Sequence, residues 1–266
     1  MRALKTLLKL SLWLALIAGV AIGLVMPSSY MYTAANLPNQ VDSESDVELH
    51  LRQSIESERQ SVEIGKPANH RGSVKWEKPD FSRLPKHLIA FYITAIGCPD
   101  YFRSPRESGW PWNRRLIASA QNRMLDGDGA CELILASNLA RRLEMKTDMQ
   151  VLVGADRIHR FLAKDQLVAF NLHSMWFDRG VVGVERASEL LMQKPLTQLN
   201  LAELAELQLA IPPWGAWGDI EKCTNAARIK EFRDERLLEL AYVGHISDEM
   251  ARTATSQPLR CLSVKR

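Results

Sequence analysis

The chain has 266 residues, of which 46% are hydrophobic and 24% are charged, a composition typical of a globular protein. It excludes a chain that is disordered throughout. The formal net charge is +3, but Arg2, Lys5 and Lys9 account for the excess, so the rest of the chain is neutral. A neutral domain lacks the basic surface that nucleic acids require, and we therefore expect no nucleic-acid partner.

The first predicted element is the uncharged run "LSLWLALIAGVAIGLVM" at residues 10–26. A run of this length is about long enough to cross a bilayer as one helix. Basic residues precede it in segment 1–9, so the positive-inside rule places the remainder in the periplasm. A cleaved signal peptide is the competing interpretation. We predict a cytoplasmic segment at 1–9 and a single-pass signal anchor in the inner membrane at 10–26.

Residues 27–75 are polar and carry runs of charge such as "SESDVELHLRQSIESERQ". We expect them to form a stalk between membrane and domain, with a short amphipathic helix near 45–58. From Trp76 the composition is globular, so the folded domain is predicted at 76–266.

The domain is predicted to be mainly α-helical, because apolar residues recur at helical spacing and strand-like alternation is lacking. Asn200 and Ser247 are predicted to begin two of its helices. Segment 146–162 has a mixed pattern, and "DGDG" at 126–129 is typical of a turn. The other predicted helices lie at 84–97, 113–125, 130–145 and near 225–243.

The four cysteines are Cys98, Cys131, Cys223 and Cys261, and none forms a CxxC pair. This spacing disfavours a zinc site. An exported domain can form two disulfides, and Cys223 with Cys261 is the first pairing we consider among the three possible. Buried free thiols are the alternative.

The stretch "KDQLVAFNLHSMWFDRGVVGVE" at 164–185 resembles a motif of glycosyltransferase family 51. This is the peptidoglycan glycosyltransferase domain of penicillin-binding proteins and monofunctional transglycosylases. The family reads Lys-x-x-Ile-Leu-Glu-x-Tyr-Leu-Asn, followed by Phe-Gly-x-Gly-x-x-Gly-Val-Glu. Lys164 matches the first position, and the residues predicted to be structural within the motif are Asn171, Gly180, Gly183 and Glu185. The resemblance extends from about Leu84 to Ala251 and implies a lysozyme-like, two-lobed helical domain behind the membrane anchor.

The resemblance also implies polymerisation of lipid II by two glutamates, and both are missing here. The first, a general base, follows the first helix, where this chain has Ile96–Gly97 or Cys98–Pro99, depending on the alignment. The second corresponds to Ala169. A methyl group can neither hold a proton nor bind a metal-bridged phosphate. The family can use a divalent cation, but we expect no cofactor and no metal in this chain.

Asp100, Glu132 and His173 are the remaining candidates for a relocated acid or base. Asp100 shares the loop of the missing base, Glu132 lies in the helix of the family's donor groove, and His173 lies one turn after Ala169. Arg141 matches a phosphate-facing lysine of the family. We predict Arg141, Arg142 and Lys164 to bind substrate, because a guanidinium can hold a diphosphate.

Three functions remain open on the sequence alone. The first is an inactive family member that binds glycan strand, lipid II or wall-synthesis proteins at the membrane. The second is an active transferase whose carboxylates have moved, for example to Asp100, Glu107 or Glu132. The third is a lysozyme-like hydrolase, which needs a glutamic acid in a partly apolar cleft. Four tryptophans are candidates to stack on sugar rings or to pack in the core: Trp110, Trp112, Trp214 and Trp217.

Overall fold

The computed structural model describes residues 28–38, 41–63, 78–106, 130–177, 181–211 and 225–260. Within these ranges the chain is mainly helical, which confirms the helical part of the predicted fold class. None of the helices in these ranges is both long enough and apolar enough to cross a membrane. The predicted anchor at 10–26, the predicted helix at 113–125 and the four candidate tryptophans lie outside the described residues.

Short helices and a two-stranded hairpin follow one another along the chain. The elements are α1 (Glu44–Glu63), α2 (Lys86–Ala95), α3 (Ala130–Arg142), α4 (Asp148–Phe161), α5 (Lys164–Ser174), β1 (Trp176–Phe177), β2 (Val181–Val182), α6 (Val184–Leu191), α7 (Leu201–Gln208), α8 (Ala226–Tyr242) and α9 (Asp248–Ser256). The strands β1 and β2 pair antiparallel, with Trp176 opposite Val182. Turns of 3₁₀ helix at Phe81–Arg83 and Leu196–Gln198 precede α2 and α7.

Side-chain caps fix where several helices begin. Asn200 accepts a hydrogen bond from the backbone of Glu203 at 2.9 Å, and Ser247 caps α9 in the same way, so both predicted starts are confirmed. Thr147 and Gln150 form a reciprocal capping box at the start of α4. Segment 146–162, whose pattern was mixed in the sequence, therefore contains a regular helix.

The centre of the core is the packing of α3 against α4 and α5. Gly154 allows α4 to approach α3 closely, because a Cβ atom at this position would lie 3.2 Å from the Cβ of Ala140. Protein interiors have few gaps that could absorb an added atom. This close crossing brings polar side chains of α3 and α4 into contact with one another.

The segment predicted as a stalk packs on the domain wherever the structure describes it. The helix expected near 45–58 is longer, and its apolar positions recur every fourth residue on one buried face. Arg157 of α4 donates a hydrogen bond to the carbonyl of Ala34 at 2.9 Å and pairs with Asp42 at 2.8 Å. Four apolar side chains of the segment belong to the core cluster, Leu37, Val41, Val47 and Leu51, and Ile55 is buried as well. These side chains therefore pack on the core from within a segment that the sequence predicted as a stalk.

Cys98 and Cys131 form a disulfide that joins the loop after α2 to the first turn of α3. Both residues are buried, and their Cα atoms are 5.8 Å apart. The alternative of free thiols is wrong for these two cysteines. The first pairing considered, Cys223 with Cys261, involves residues outside the described ranges.

Candidate functional site

A pocket of about 410 Å³ opens where α2, α3 and the end of α5 meet. Its described lining combines polar side chains, two arginines among them, with two aromatic side chains. Among the described residues that line it, none carries a carboxylate. The lining residues are Tyr92, Asn138, Arg141, Arg142, Asn171, Ser174, Met175, Trp176 and Ile211.

Arg141 and Arg142, two of the predicted substrate-binding residues, both line this pocket. The side chain of Arg141 is 58% exposed, and its guanidinium lies 3.9 Å from Asp148, whose own side chain is 94% exposed. Ion pairs between exposed groups of this kind are weak. The guanidinium of Arg142 lies 5.4 Å from the ring centroid of Trp176, a cation–π arrangement. The pocket therefore presents positive charge beside an aromatic face.

Asn171 and Tyr92 form the inner wall of the pocket. The amide nitrogen of Asn171 donates to the carbonyls of Leu135 at 3.1 Å and Leu167 at 2.7 Å, which ties α5 to α3. Burial raises the pKa of Tyr92 well above its usual range, while a hydrogen bond with Asn138 and the charge of Arg142 oppose the shift. Tyr92 is therefore neutral at physiological pH, and the wall contributes amide and hydroxyl groups without negative charge.

Ala169 lies in the middle of α5 and is buried in the core, with 2% of its surface exposed. It is not among the residues that line the pocket. At the other position where the resembled family has glutamate, Ile96 is the C-cap of α2 and Cys98 is in the disulfide. Neither position offers a group that could take up a proton.

Glu132 lies in a buried cluster of charges that we call the Glu132 cluster, formed by Glu132, His159, Lys164 and Arg106. The carboxylate is 2.6 Å from Nε2 of His159, 3.4 Å from Nζ of Lys164 and 3.7 Å from Nε of Arg106. Tyr101 lies beside the cluster, and burial followed by the charge of Glu132 raises its pKa. None of these residues is among those that line the pocket.

Lys164 and Arg106 anchor the loop that follows α2. The Nζ atom of Lys164 donates to the carbonyls of Tyr101 and Ser104, both at 2.6 Å. Arg106 donates to the carbonyl of Leu162 at 2.8 Å. Lys164, predicted from the resemblance to bind substrate, is thus mostly buried and is engaged within the protein, whereas Arg141 and Arg142 reach the pocket.

The other predicted site residues lie at separate places. Asp100 pairs with Arg103 at 3.0 Å on the surface of the loop. His173 Nδ1 lies 3.3 Å from Glu185, in the first turn of α6. Gly183 caps α6 at a φ of 89°, a conformation that glycine adopts without strain. Gly180 is outside the described residues.

Among the residues that the structure describes, no cluster of side chains forms a candidate metal centre. No group of three or more His, Cys, Asp and Glu side chains there has an arrangement that could hold an ion. The neutral oxygens of the pocket are poor ligands for hard cations, which usually require carboxylates. The divalent cation of the resembled family therefore does not fit these residues.

Sequence reasoning missed eight residues of the pocket and the cluster: Tyr92, Arg106, Asn138, His159, Ser174, Met175, Trp176 and Ile211. Helical spacing could have indicated Asn138, because it lies three residues before Arg141 on one face of α3. The contact between His159 and Glu132 joins residues far apart in the chain, and no local pattern indicates it.

These features define a mainly helical domain with a basic, aromatic pocket, and the chain is similar to penicillin-binding proteins. It matches no protein-family model. Penicillin-binding protein 1A of Pseudomonas aeruginosa is 23% identical over 261 residues, which is 95% of this chain and 30% of that protein. The protein of the same name from Rickettsia bellii is 30% identical over 102 residues, 38% of this chain and 12% of that protein. In Rickettsia conorii it is 26% identical over 182 residues, 66% of this chain and 22% of that protein. The chain is thus related to these penicillin-binding proteins 1A and spans less than a third of their length.

Proposed function

We propose that the protein acts in peptidoglycan synthesis as a family 51 transglycosylase-like protein that binds a lipid-linked glycan precursor without polymerising it. The observation that carries this proposal is the pocket at the junction of α2, α3 and α5. It presents two arginines and an exposed indole face, and its described lining holds no carboxylate. Such a lining can hold a diphosphate and a sugar ring, but it cannot take a proton from an attacking hydroxyl.

The loss of catalysis is further supported by the two positions where the resembled family has glutamate. Ala169 is buried in α5, and Cys98 forms a disulfide with Cys131. Proton transfer by a positioned base typically contributes a factor of about 10² to 10⁴ in rate. The absence of both groups therefore removes most of the rate enhancement that the chemistry needs.

Relocated carboxylates would support an active transferase instead. The positions of Asp100 and Glu132 argue against that function. Asp100 is paired with Arg103 on the loop surface, and Glu132 is buried among three partners. Glu132 does not line the pocket, whereas a lysozyme-like hydrolase needs its acid to face the cleft. Glu107 lies outside the described residues.

The protein is further proposed to be anchored in the cytoplasmic membrane by residues 10–26, with the domain in the periplasm. A disulfide between Cys98 and Cys131 is typical of an oxidising compartment, which supports this location. The packing of α3, α4 and α5 on one side of the pocket, and of α2 with α7 on the other, supports two lobes. Glycan strands, lipid II and other wall-synthesis proteins are the proposed partners.

The experiment combines a polymerisation assay with a binding assay on the full-length protein in non-ionic detergent. Fluorescent lipid II is incubated with the protein, and the products are separated by electrophoresis beside those of an active glycosyltransferase. We expect no lengthened glycan, together with saturable binding that Arg141→Ala weakens. Arg252→Ala, at an exposed position of α9, is the matched control and leaves binding unchanged. Lengthened glycan, or the absence of binding, would contradict the proposal.

A further inference from the structure

The described lining of the pocket is positively charged, and this charge determines how the pocket can hold an anion. Arg141 and Arg142 supply two positive charges, and the described lining supplies no negative one. In a lipid-linked sugar diphosphate each of the two phosphates carries a negative charge at neutral pH. Two guanidiniums therefore balance the ligand, and each can donate two parallel hydrogen bonds to a phosphate.

The described lining of the pocket offers no comparable set of ligands for a divalent cation. Mg²⁺ is usually held by one or two carboxylates together with the substrate phosphates. The oxygen-bearing side chains of the described lining are the neutral Tyr92, Asn138, Asn171 and Ser174. The amide nitrogen of Asn171 is already committed to two backbone carbonyls, which fixes the orientation of that side chain.

Asp148 is an acid that lies close to Arg141, and it does not change this conclusion. Its carboxylate lies 3.9 Å from Arg141 and is almost fully exposed to water. A single carboxylate in water is a weak ligand for a metal ion. It also competes with a phosphate for the same guanidinium, so its effect on an anionic ligand is unfavourable.

We propose that this pocket binds the lipid-linked diphosphate through Arg141 and Arg142 without a divalent cation, and that Mg²⁺ competes with the protein for the ligand. The inference rests on the proposed function, since it concerns the same ligand. In a metal-dependent site, Mg²⁺ bridges protein and phosphate and raises affinity. Here the same ion neutralises the phosphate oxygens that the arginines need, so it lowers affinity.

The test measures binding of dansyl-labelled lipid II to the full-length protein in non-ionic detergent. One series contains EDTA and the other contains millimolar Mg²⁺, with ionic strength equalised by NaCl because salt screens charges. We expect binding in EDTA that is tighter than binding in Mg²⁺, and equal binding in the two series would overturn the competition. Arg141→Ala should weaken binding by about ten- to a hundredfold, as expected for the loss of hydrogen bonds to a charged group. Arg252→Ala is the control for a lost surface charge.

Asp148→Asn separates the two roles that this carboxylate could have. If it only competes for Arg141, its neutralisation leaves binding unchanged or tightens it, in EDTA as well as in Mg²⁺. If it ligates a metal ion, its neutralisation weakens binding in Mg²⁺ alone, and the inference is overturned.

The remaining outcomes distinguish this inference from the proposed function. Binding that requires Mg²⁺ overturns the inference and leaves the function standing. The absence of binding in both series overturns the function, and the inference falls with it. Binding in EDTA that is lost in Arg141→Ala but retained in Arg252→Ala supports both.

Discussion

The carboxylate of Glu132 lies 2.6 Å from Nε2 of His159, and this contact joins α3 to α4 inside the core. Only 3% and 5% of these two side chains are exposed. Lys164 and Arg106 approach the same carboxylate and also hold the loop that follows α2. Glu132 therefore connects two helices and a loop, and its surroundings are those of a structural residue.

Glu132→Gln is expected to lower the free energy of unfolding by about 3 kcal/mol, because it leaves Lys164 without its buried anionic partner. The measurement is chemical or thermal denaturation of the purified full-length protein. Glu235→Gln, at an exposed position of α8, is the matched control and should stay within about 0.5 kcal/mol of the wild type. If Glu132→Gln is as stable as the control, the structural role assigned to Glu132 is incorrect.

The disulfide between Cys98 and Cys131 is expected to hold the same loop in place. The two cysteines are separated by 33 positions, and a crosslink across such a loop typically contributes about 2–4 kcal/mol by restricting the unfolded chain. The double variant Cys98→Ala, Cys131→Ala should therefore have a lower midpoint of denaturation. A reductant should lower the midpoint of the wild type more than that of the variant. An identical response of the two proteins would show that this crosslink does not form in solution.

The helices that the sequence predicted well are those with local signals. Asn200 and Ser247 are followed by side chains and backbone groups that complete their caps within three residues. In α8 the predicted span of 225–243 differs from Ala226–Tyr242 by one residue at each end. Caps and periodicity depend only on neighbouring residues, so they can be recognised in a single sequence.

The features that the sequence did not predict depend on distant contacts or on sparse patterns. Val47, Leu51 and Ile55 form a narrow apolar stripe within a charged segment, so the segment was predicted as a stalk although it packs on the core. The spacing of four between these apolar residues is visible in the sequence, but the many polar and charged residues around them favoured the prediction of a stalk. Lys164 was predicted to face substrate, yet its amine bonds to a loop about sixty residues earlier in the chain. Such long-range pairing follows from the fold and has no signature near Lys164.

Glu206 and Arg233 form a second buried ion pair, between α7 and α8. Their atoms are 3.2 Å apart, and 1% and 0% of their side chains are exposed. Burial raises the pKa of Glu206, against the opposing effects of the Arg260 backbone N–H and the charge of Arg233. Arg233 also pairs with Asp234 at 2.9 Å, so its charge is shared between two carboxylates.

This raised pKa predicts how stability changes with pH. The folded protein holds the proton of Glu206 more tightly than the unfolded chain, in which the pKa is about 4.3. The contribution of this group to the free energy of unfolding is therefore largest below that pH and falls as pH rises through the raised pKa. Glu206→Gln removes the titration, so the wild type should exceed the variant by more at about pH 4 than at about pH 7. Denaturation at the two pH values measures this, and a difference that grows with pH would contradict it.

Ala169→Glu places an acid where the resembled family has glutamate and tests whether one substitution is enough to give glycan polymerisation. Ala169 is 2% exposed and surrounded by core residues, so a glutamate there must either enter the core or displace α5. Overpacking and the burial of a carboxylate each destabilise, and together we expect a loss of at least ~2 kcal/mol. Ala169→Glu should therefore melt at a lower temperature and give no lengthened glycan from lipid II. Ala227→Glu, at an exposed position of α8, is the control for helix propensity and charge and should melt close to the wild type.

The two readouts of Ala169→Glu have different consequences. A stable variant would mean that position 169 has room for a carboxylate and is not enclosed by the core as described. Lengthened glycan from the variant would mean that the chain already has the second proton-transfer group of a transferase, because one acid cannot carry out both proton transfers. A destabilised variant without product is the expected result. In that case position 169 acts as a core position.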